Sequence, residues 1–419
     1  MEELKQVVRR FWVEHTMSDL LLCLTILLSI SFIKLAPIAL VVLFLWSLYK
    51  RKSVSELKME LFSPLSILNY LFILFFVYHL VGMFWSENNA FGWMDVGMKM
   101  SFFLVPLIGI IGKFTITRSQ LMYFFSWCLT FLSLALFLYG AYRSVINKTT
   151  NFGYFYESEF SAFMHRSYWA TYTALAASWM LFTLFSKGEK QFKKYYFLAW
   201  LVLSVSTILT ISKAGIIIWI LLNSIVVLHV VIIRKWKFFG LSALAGMIAL
   251  VCFLFFSNSR IAQRFQYIPY SISHIKTEGN NETESNAARL IMWSTSIKII
   301  KQNWLLGVGT GDVKDELIST NLRLKNLGVA EKKLNSHNQF LNTWVQLGII
   351  GFTLLLSIFI VAFSIAIKQK SFQLILFGLT FFITMLFESF IETQAGIVPF
   401  CLLFVFLCQQ SQRLESIPR

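Results

Sequence analysis

Twelve apolar runs of about 16–25 residues, set apart by short charged breaks, govern what this chain can fold into. Runs of that length, wound as helices, cross a hydrocarbon layer roughly 30 Å thick. Within such a layer only helices and closed barrels can satisfy every backbone amide. A barrel would show strands alternating with period two. The runs here are continuous and carry much of the chain's 43 phenylalanines, so the expected fold is an all-α polytopic membrane protein. The runs lie near 18–33, 36–50, 65–84, 97–112, 120–142, 167–186, 195–211, 214–233, 238–256, 340–367, 371–387 and 395–410.

A composition of 57% hydrophobic and 14% charged residues excludes an ordinary soluble domain of this length. The net charge of +16 is not a nucleic-acid footprint, because its distribution follows the breaks. One alternating set carries Lys50-Arg51-Lys52 with Lys58, Lys113 with Arg118, Lys187 through Lys194, Arg234-Lys235-Lys237, and Lys368 with Lys370. The other set is poor in cations. The positive-inside rule then puts both termini in the cytoplasm and the breaks at 85–96, 143–166, 257–336 and 388–394 outside. Residues 2–17, with Leu4, Val7, Val8, Phe11 and Trp12 beside Lys5, Arg9 and Arg10, read as a helix in the headgroup region. The run after them has no small-residue cleavage site and reads as a retained span. All five cysteines (Cys23, Cys128, Cys252, Cys401 and Cys408) lie in apolar runs and read as small buried hydrophobes rather than a disulfide framework.

The expected organisation is a cytoplasmic interfacial helix at 1–17, nine spans within 18–256, a helical outer domain at 257–336, three spans within 337–410 and a cytoplasmic tail at 411–419. The outer interval is about 80 residues long and includes a polar patch from Asn280 to Asn286. Leu290, Trp293, Ile297, Ile300 and Trp304 describe a helix with one apolar stripe that Asn286 would cap. Arg289 lies in its first turn, where a guanidinium beside unpaired backbone amides suits a phosphate. Gly307-Val308-Gly309-Thr310-Gly311-Asp312 superficially resembles a nucleotide-binding loop, but no buried strand precedes it and no Lys-Ser pair follows it. It reads as a turn between helices.

The stretch Asn335-Ser336-His337-Asn338-Gln339-Phe340-Leu341 stands where the polar interval meets the tenth run. Ser336 with Gln339 has the spacing of a capping box, which puts His337 at the first helical position. An imidazole there feels the positive end of the helix dipole and keeps a lone pair for use as a general base. Ser212-Lys213-Ala214-Gly215 reads as a tight outer turn with one cation, and His165-Arg166-Ser167-Tyr168 opens another span. Glu388 and Glu392, four apart, are expected on one helix face beside Gln394 and Gly396. Arg166, Lys213, Arg289 and His337 therefore fall at a single membrane face. That set fits an acidic lipid headgroup with a base poised beside it. No Asp-x-Asp or metal-spaced His/Cys/carboxylate cluster is present, so the expectation is charge neutralisation by side chains, with no metal and no cofactor.

With these positions assembled, the chain resembles the superfamily of O-antigen ligases and O-antigen polymerases, bacterial inner-membrane transferases of lipid-linked glycans. The resemblance rests on the span count, the long outer loop before the tenth span, the Ser-Lys-x-Gly turn, the Arg289-x-x-x-Trp293 helix leading to Gly-x-Gly, and SHNQFLNTWVQLGIIG. It implies a GT-C-like architecture and a metal-independent, inverting transfer of a glycan from undecaprenyl diphosphate to an acceptor hydroxyl on the periplasmic side. Lipid A-core is the favoured acceptor. It also implies that Arg289 and Lys213 hold the diphosphate, with Arg166 beside them, and that His337 assists the acceptor hydroxyl. The family usually has arginine where this chain has Lys213, and lysine keeps the charge without the two-pronged geometry. Asn338, His165, Glu388 and Glu392 are candidates for acceptor contacts or polar structure. Polymerases and protein O-glycosyltransferases share these features. A transporter of the same lipid would instead want a polar path through the bilayer, and His79 and Asn69 are isolated in their runs.

Overall fold

The computed structural model describes residues 16–148, 152–186, 192–234 and 285–409, with a few single residues between 234 and 285. The expected interfacial helix at 2–17, the 238–256 run, most of the Asn280–Asn286 patch, Cys252 and the 411–419 tail lie wholly or almost wholly outside the described residues. The described residues are mostly helical, with one isolated antiparallel bridge among them between Arg51 and Gly112. The helices are α1 (Met17–Ser31), α2 (Ala36–Tyr49), α3 (Val54–Leu61), α4 (Ser66–Val81), α5 (Asn89–Met98), α6 (Ser101–Ile111), α7 (Arg118–Ile146), α8 (Glu157–Phe160), α9 (Arg166–Phe185), α10 (Lys193–Leu209) and α11 (Lys213–Arg234). After the gap come α12 (Ser285–Gln302), α13 (Val313–Arg323), α14 (Leu327–Glu331), α15 (Gln339–Lys368), α16 (Phe372–Phe387) and α17 (Gln394–Gln409).

Five stretches are long and apolar enough to cross a membrane: Ser66–Trp85, Asn89–Ile111, Arg118–Ile146, Lys213–Ile232 and Gln339–Lys368. Shorter apolar helices accompany them. Every apolar run of the sequence other than 238–256 coincides with a helix. The 85–96 break is different from expectation, because most of it is helix α5. Its buried Asp95 meets buried Lys99, three residues beyond the break, at 2.6 Å, so the segment enters the bundle as a paired unit.

Helix α9 is the middle of one half of the bundle and packs against α7, α10, α11 and α16. It is rich in small residues (Ala170, Ala174, Ala176, Ala177 and Ser178, all buried) that let neighbouring backbones approach closely. Gly215 of α11 completes this contact, since a Cβ there would lie 2.2 Å from the Cβ of Ala170. In the other half, rings of Phe359, Phe377, Phe381, Phe400 and Phe404 interlock across α15, α16 and α17.

Two sets of breaks gather at opposite ends of α15. At the Lys368 end, Arg118 donates to Leu407 O (2.7 Å), Ser371 Oγ (3.1 Å) and Gln369 Oε1 (2.7 Å). Asp19 receives the amides of Thr115 and Ile116 in the same region. At the Gln339 end, residues 285–336 build a separate apolar cluster from Ala288, Ile291, Met292, Ile299, Val313, Leu317 and Val329, seated on Val345. Only part of the apolar stripe expected on α12 packs: Ile300 is buried and Leu290 and Trp293 are half-buried. Ile297 and Trp304 are exposed, whereas Thr295 and Ser296 are buried against Asn321 and Ser336.

The glycine-rich loop 307–311 is the turn between α12 and α13, as its sequence context required. It docks on α15 through Val308 N–H to Val345 O (2.8 Å) and Gly309 N–H to Gln346 O (3.0 Å). Those carbonyls are thereby withdrawn from the helix ladder, and α15 kinks at Gly348 (φ 64, ψ −165). A side chain there would meet left-handed strain and the Leu305 carbonyl, 2.1 Å from an added Cβ.

Candidate active site

Five chain segments meet at the Gln339 end of the bundle: the start of α9, the first turn of α11, the first turn of α12, the turn before α15, and the turn between α16 and α17. Glu388 is the common partner of Ser167, Arg289 and His337. Its Oε1 accepts from Arg289 Nη2 at 2.7 Å and from Ser167 Oγ at 2.9 Å, and its Oε2 lies 3.4 Å from His337 Nδ1. Arg289 is held a second time by its Nε, which donates to Phe387 O at 3.2 Å. Burial of Glu388 works to raise its pKa. The His337 hydrogen bond and the charges of Arg289 and His337 overcome this and hold the carboxyl at about 2.

The local folding of His337 differs from the expected capping box. The N-cap of α15 is Asn338, whose Oδ1 accepts from Leu341 N–H at 3.0 Å, and the helix begins at Gln339. His337 precedes the cap with φ 46, a left-handed conformation, and its N–H donates to Asn335 Oδ1 at 3.0 Å. Ser336 is buried and accepts from Ser296 Oγ at 2.9 Å. Gln339 turns away to Glu392 Oε1 (2.7 Å) and accepts the Ile391 amide (2.9 Å). The dipole argument for a first-turn imidazole therefore does not apply. Glu388 orients the ring instead, and a proton on Nδ1 directed at the carboxylate leaves Nε2 as the basic nitrogen.

Glu388 and Glu392 do not share a helix face. Glu388 is the extended C-cap of α16 (φ −141, ψ 143), and a short turn over Phe390–Glu392 separates the two. Glu392 serves a different cluster, with Lys99 at 3.0 Å.

The other expected cations take neighbouring positions. Lys213 opens α11 and donates to Asn286 Oδ1 at 2.9 Å, one turn before Arg289 on α12. Asn286 therefore lies inside that helix and does not cap it, because the first turn is already occupied by Lys213. Arg166 opens α9 and pairs with Glu157 at 3.4 Å. It stands next in sequence to Ser167, the Glu388 donor. His165 caps α9, its Nδ1 accepting from Ser167 N–H at 3.4 Å. Its pKa is lowered, first by loss of water around the ring and then by Arg166, His337 and Arg289, with Glu388 opposing. No group of three or more His, Cys, Asp or Glu residues spaced to hold a metal ion occurs among the described residues.

A histidine against a carboxylate, with two cations on adjoining helices, thus sits at one end of the apolar bundle of a multi-pass membrane protein. Residues 197–356 match the family model described as O-antigen ligase. The segment contains Lys213, Arg289, His337 and Asn338, while Glu388 lies beyond it. An uncharacterized protein of Haemophilus influenzae is 26% identical over 223 residues, covering 51% of this chain and 54% of that protein. The chain thus aligns with about half the length of this curated relative.

Proposed function

We propose that this protein transfers a glycan from undecaprenyl diphosphate to lipid A-core on the periplasmic face of a bacterial inner membrane. The reading includes twelve spans, a helical periplasmic domain at 257–336 between the ninth and tenth, and both termini in the cytoplasm. The observation that carries it is the convergence of Arg289 and His337 on Glu388, beside the Lys213–Asn286 contact.

In the proposed reaction the acceptor oxygen attacks the anomeric carbon as His337 Nε2 takes its proton. The bond from that carbon to the diphosphate oxygen breaks, and the configuration inverts. Glu388 stabilises the imidazolium formed, in the manner of a carboxylate behind a catalytic histidine. Arg289 and Lys213 stabilise the charge that develops on the departing diphosphate. The polyprenyl chain stays in lipid, which is why the site belongs at a bundle end.

The direct test is transfer of radiolabelled glycan by purified protein in detergent, with EDTA present. Covalent product on lipid A-core is expected. Product only on another glycan would make the protein a polymerase, and movement of lipid without any covalent product would make it a transporter.

Placement of the site is tested by impermeant thiol labelling of intact cells. A cysteine at exposed Arg323 should react from the periplasm, and one at exposed Lys58 should not. The reverse pattern would put the Glu388 cluster in the cytoplasm and end this reading.

Lys213 differs from the arginine usual in the family. If its charge serves the diphosphate, Lys213→Arg keeps most activity, whereas Lys213→Ala loses roughly 10–100-fold, the worth of one charge-assisted hydrogen bond. Equal rates for all three proteins would reduce Lys213 to a tie between α11 and α12.

A further inference from the structure

Beneath the Glu388 cluster lies a second polar network that the proposed chemistry leaves unused. Lys99 is fully buried in the break between α5 and α6. Its ammonium meets Asp95 Oδ1 at 2.6 Å and Glu392 Oε2 at 3.0 Å. The other oxygen of Glu392 accepts from Gln339 Nε2 at 2.7 Å, and Gln339 Oε1 accepts the Ile391 amide at 2.9 Å. The other oxygen of Asp95 accepts from Gln346 Nε2 at 2.8 Å, and that nitrogen also donates to Thr310 O at 3.1 Å. Five segments are joined in this way: α5, the α5–α6 break, the first turns of α15, the glycine-rich loop, and the turn between α16 and α17.

Burying Asp95 and Lys99 and half-burying Glu392 is costly, and a buried ion pair is commonly no more stabilising than an apolar filling of the same volume. Stability is therefore a weak account of this cluster. Its position supplies a better one. Gln339 follows His337 by two residues, and the Ile391–Glu392 turn follows Glu388 by three to four. These are the two ends of the 3.4 Å His337–Glu388 contact. A displacement of about 1 Å between reacting groups can cost roughly 10²-fold in rate.

We propose that Lys99 is a positioning residue: by clamping Asp95 and Glu392 it fixes Gln339, and through it sets the turn bearing His337 against the turn bearing Glu388. Lys99 touches no substrate. The inference rests on the transferase reading only for its kinetic consequence.

The test pairs hydrogen exchange with kinetics on the full-length protein, using Lys99→Met and, as a second variant outside the ion cluster, Gln339→Met. In both, amides of 335–341 and 388–393 should exchange faster, while those of α9 and α12 keep parental protection. The turnover number should fall about 10²-fold with the KM for the lipid-linked donor unchanged. Adding Glu392→Gln and Asp95→Asn to Lys99→Met removes the two stranded carboxylates and keeps an acceptor for Gln339, so it should restore part of both readouts. Exchange that stays parental in Gln339→Met, or that quickens equally throughout the bundle, would overturn the proposal. If the two turns loosen as stated but the parent protein transfers no glycan, the positioning inference stands and the transferase reading falls.

Discussion

Replacing His337 with alanine should lower glycan transfer by about 10²–10⁴, the usual worth of a general base, and leave the protein inserted and folded. The side chain is about a quarter exposed and lies outside the packed helices, and the α15 cap belongs to Asn338, which the substitution does not touch. The backbone at φ 46 is uncommon for any residue with a Cβ, and histidine tolerates it only somewhat better than alanine does. The stability change is therefore small. Donor binding should persist, because Arg289 is held by Glu388 and by Phe387 O independently of the imidazole. His337→Gln sharpens the measurement, since an amide can hydrogen-bond an acceptor hydroxyl but cannot take its proton at neutral pH. Near-normal turnover in that variant would show that His337 places the acceptor and that proton transfer lies elsewhere.

Most of the helical layout was legible because the bilayer is a severe solvent: a run of apolar residues about 20 long has few alternatives to a helix. The failures all involve polar residues satisfied over long sequence distances. The 85–96 segment was expected as a break between spans, yet most of it is helix, with Asp95 paired to Lys99 inside the bundle. Ser336 and Asn338 are both good caps two residues apart, and local spacing favoured Ser336. Tertiary contacts decided otherwise, with Ser296 occupying Ser336 and the Glu392 turn occupying Gln339. On α12 Ile297 faces out, as does Trp304 just beyond the helix, and the face that packs carries Ala288, Ile291, Met292, Ile299 and Ile300 with the polar Thr295 and Ser296. Arg289 and His337 were both singled out in sequence, but the carboxylate joining them was left among secondary candidates. A signal for it existed: Glu388 and Glu392 are the only acidic residues between Glu331 and Glu415. In an otherwise apolar stretch, an isolated acid needs a cation or a function.

Glu388→Gln should separate catalysis from binding more cleanly than any other single change. Glutamine keeps an oxygen for Arg289 and Ser167 but removes the charge that orients His337 and stabilises its imidazolium, so the turnover number should fall by at least about 10²-fold. The KM for the donor should not rise, because Arg289 then faces the diphosphate without a competing carboxylate. Glu388→Ala goes further, stranding a mostly buried guanidinium, and should destabilise the protein by about 3–5 kcal/mol. Acid provides an independent check. The carboxyl is held at about 2 against its ordinary 4.5, so the folded state binds this proton less readily than the unfolded chain does. The resulting stability is fully present above about 4.5 and is lost as pH falls from there through about 2. Thermal unfolding across that window should show a steeper acid loss in the parent than in Glu388→Gln. Parallel curves would mean that Glu388 is not held ionised by Arg289 and His337, and the site would lose the group that joins its base to its cation.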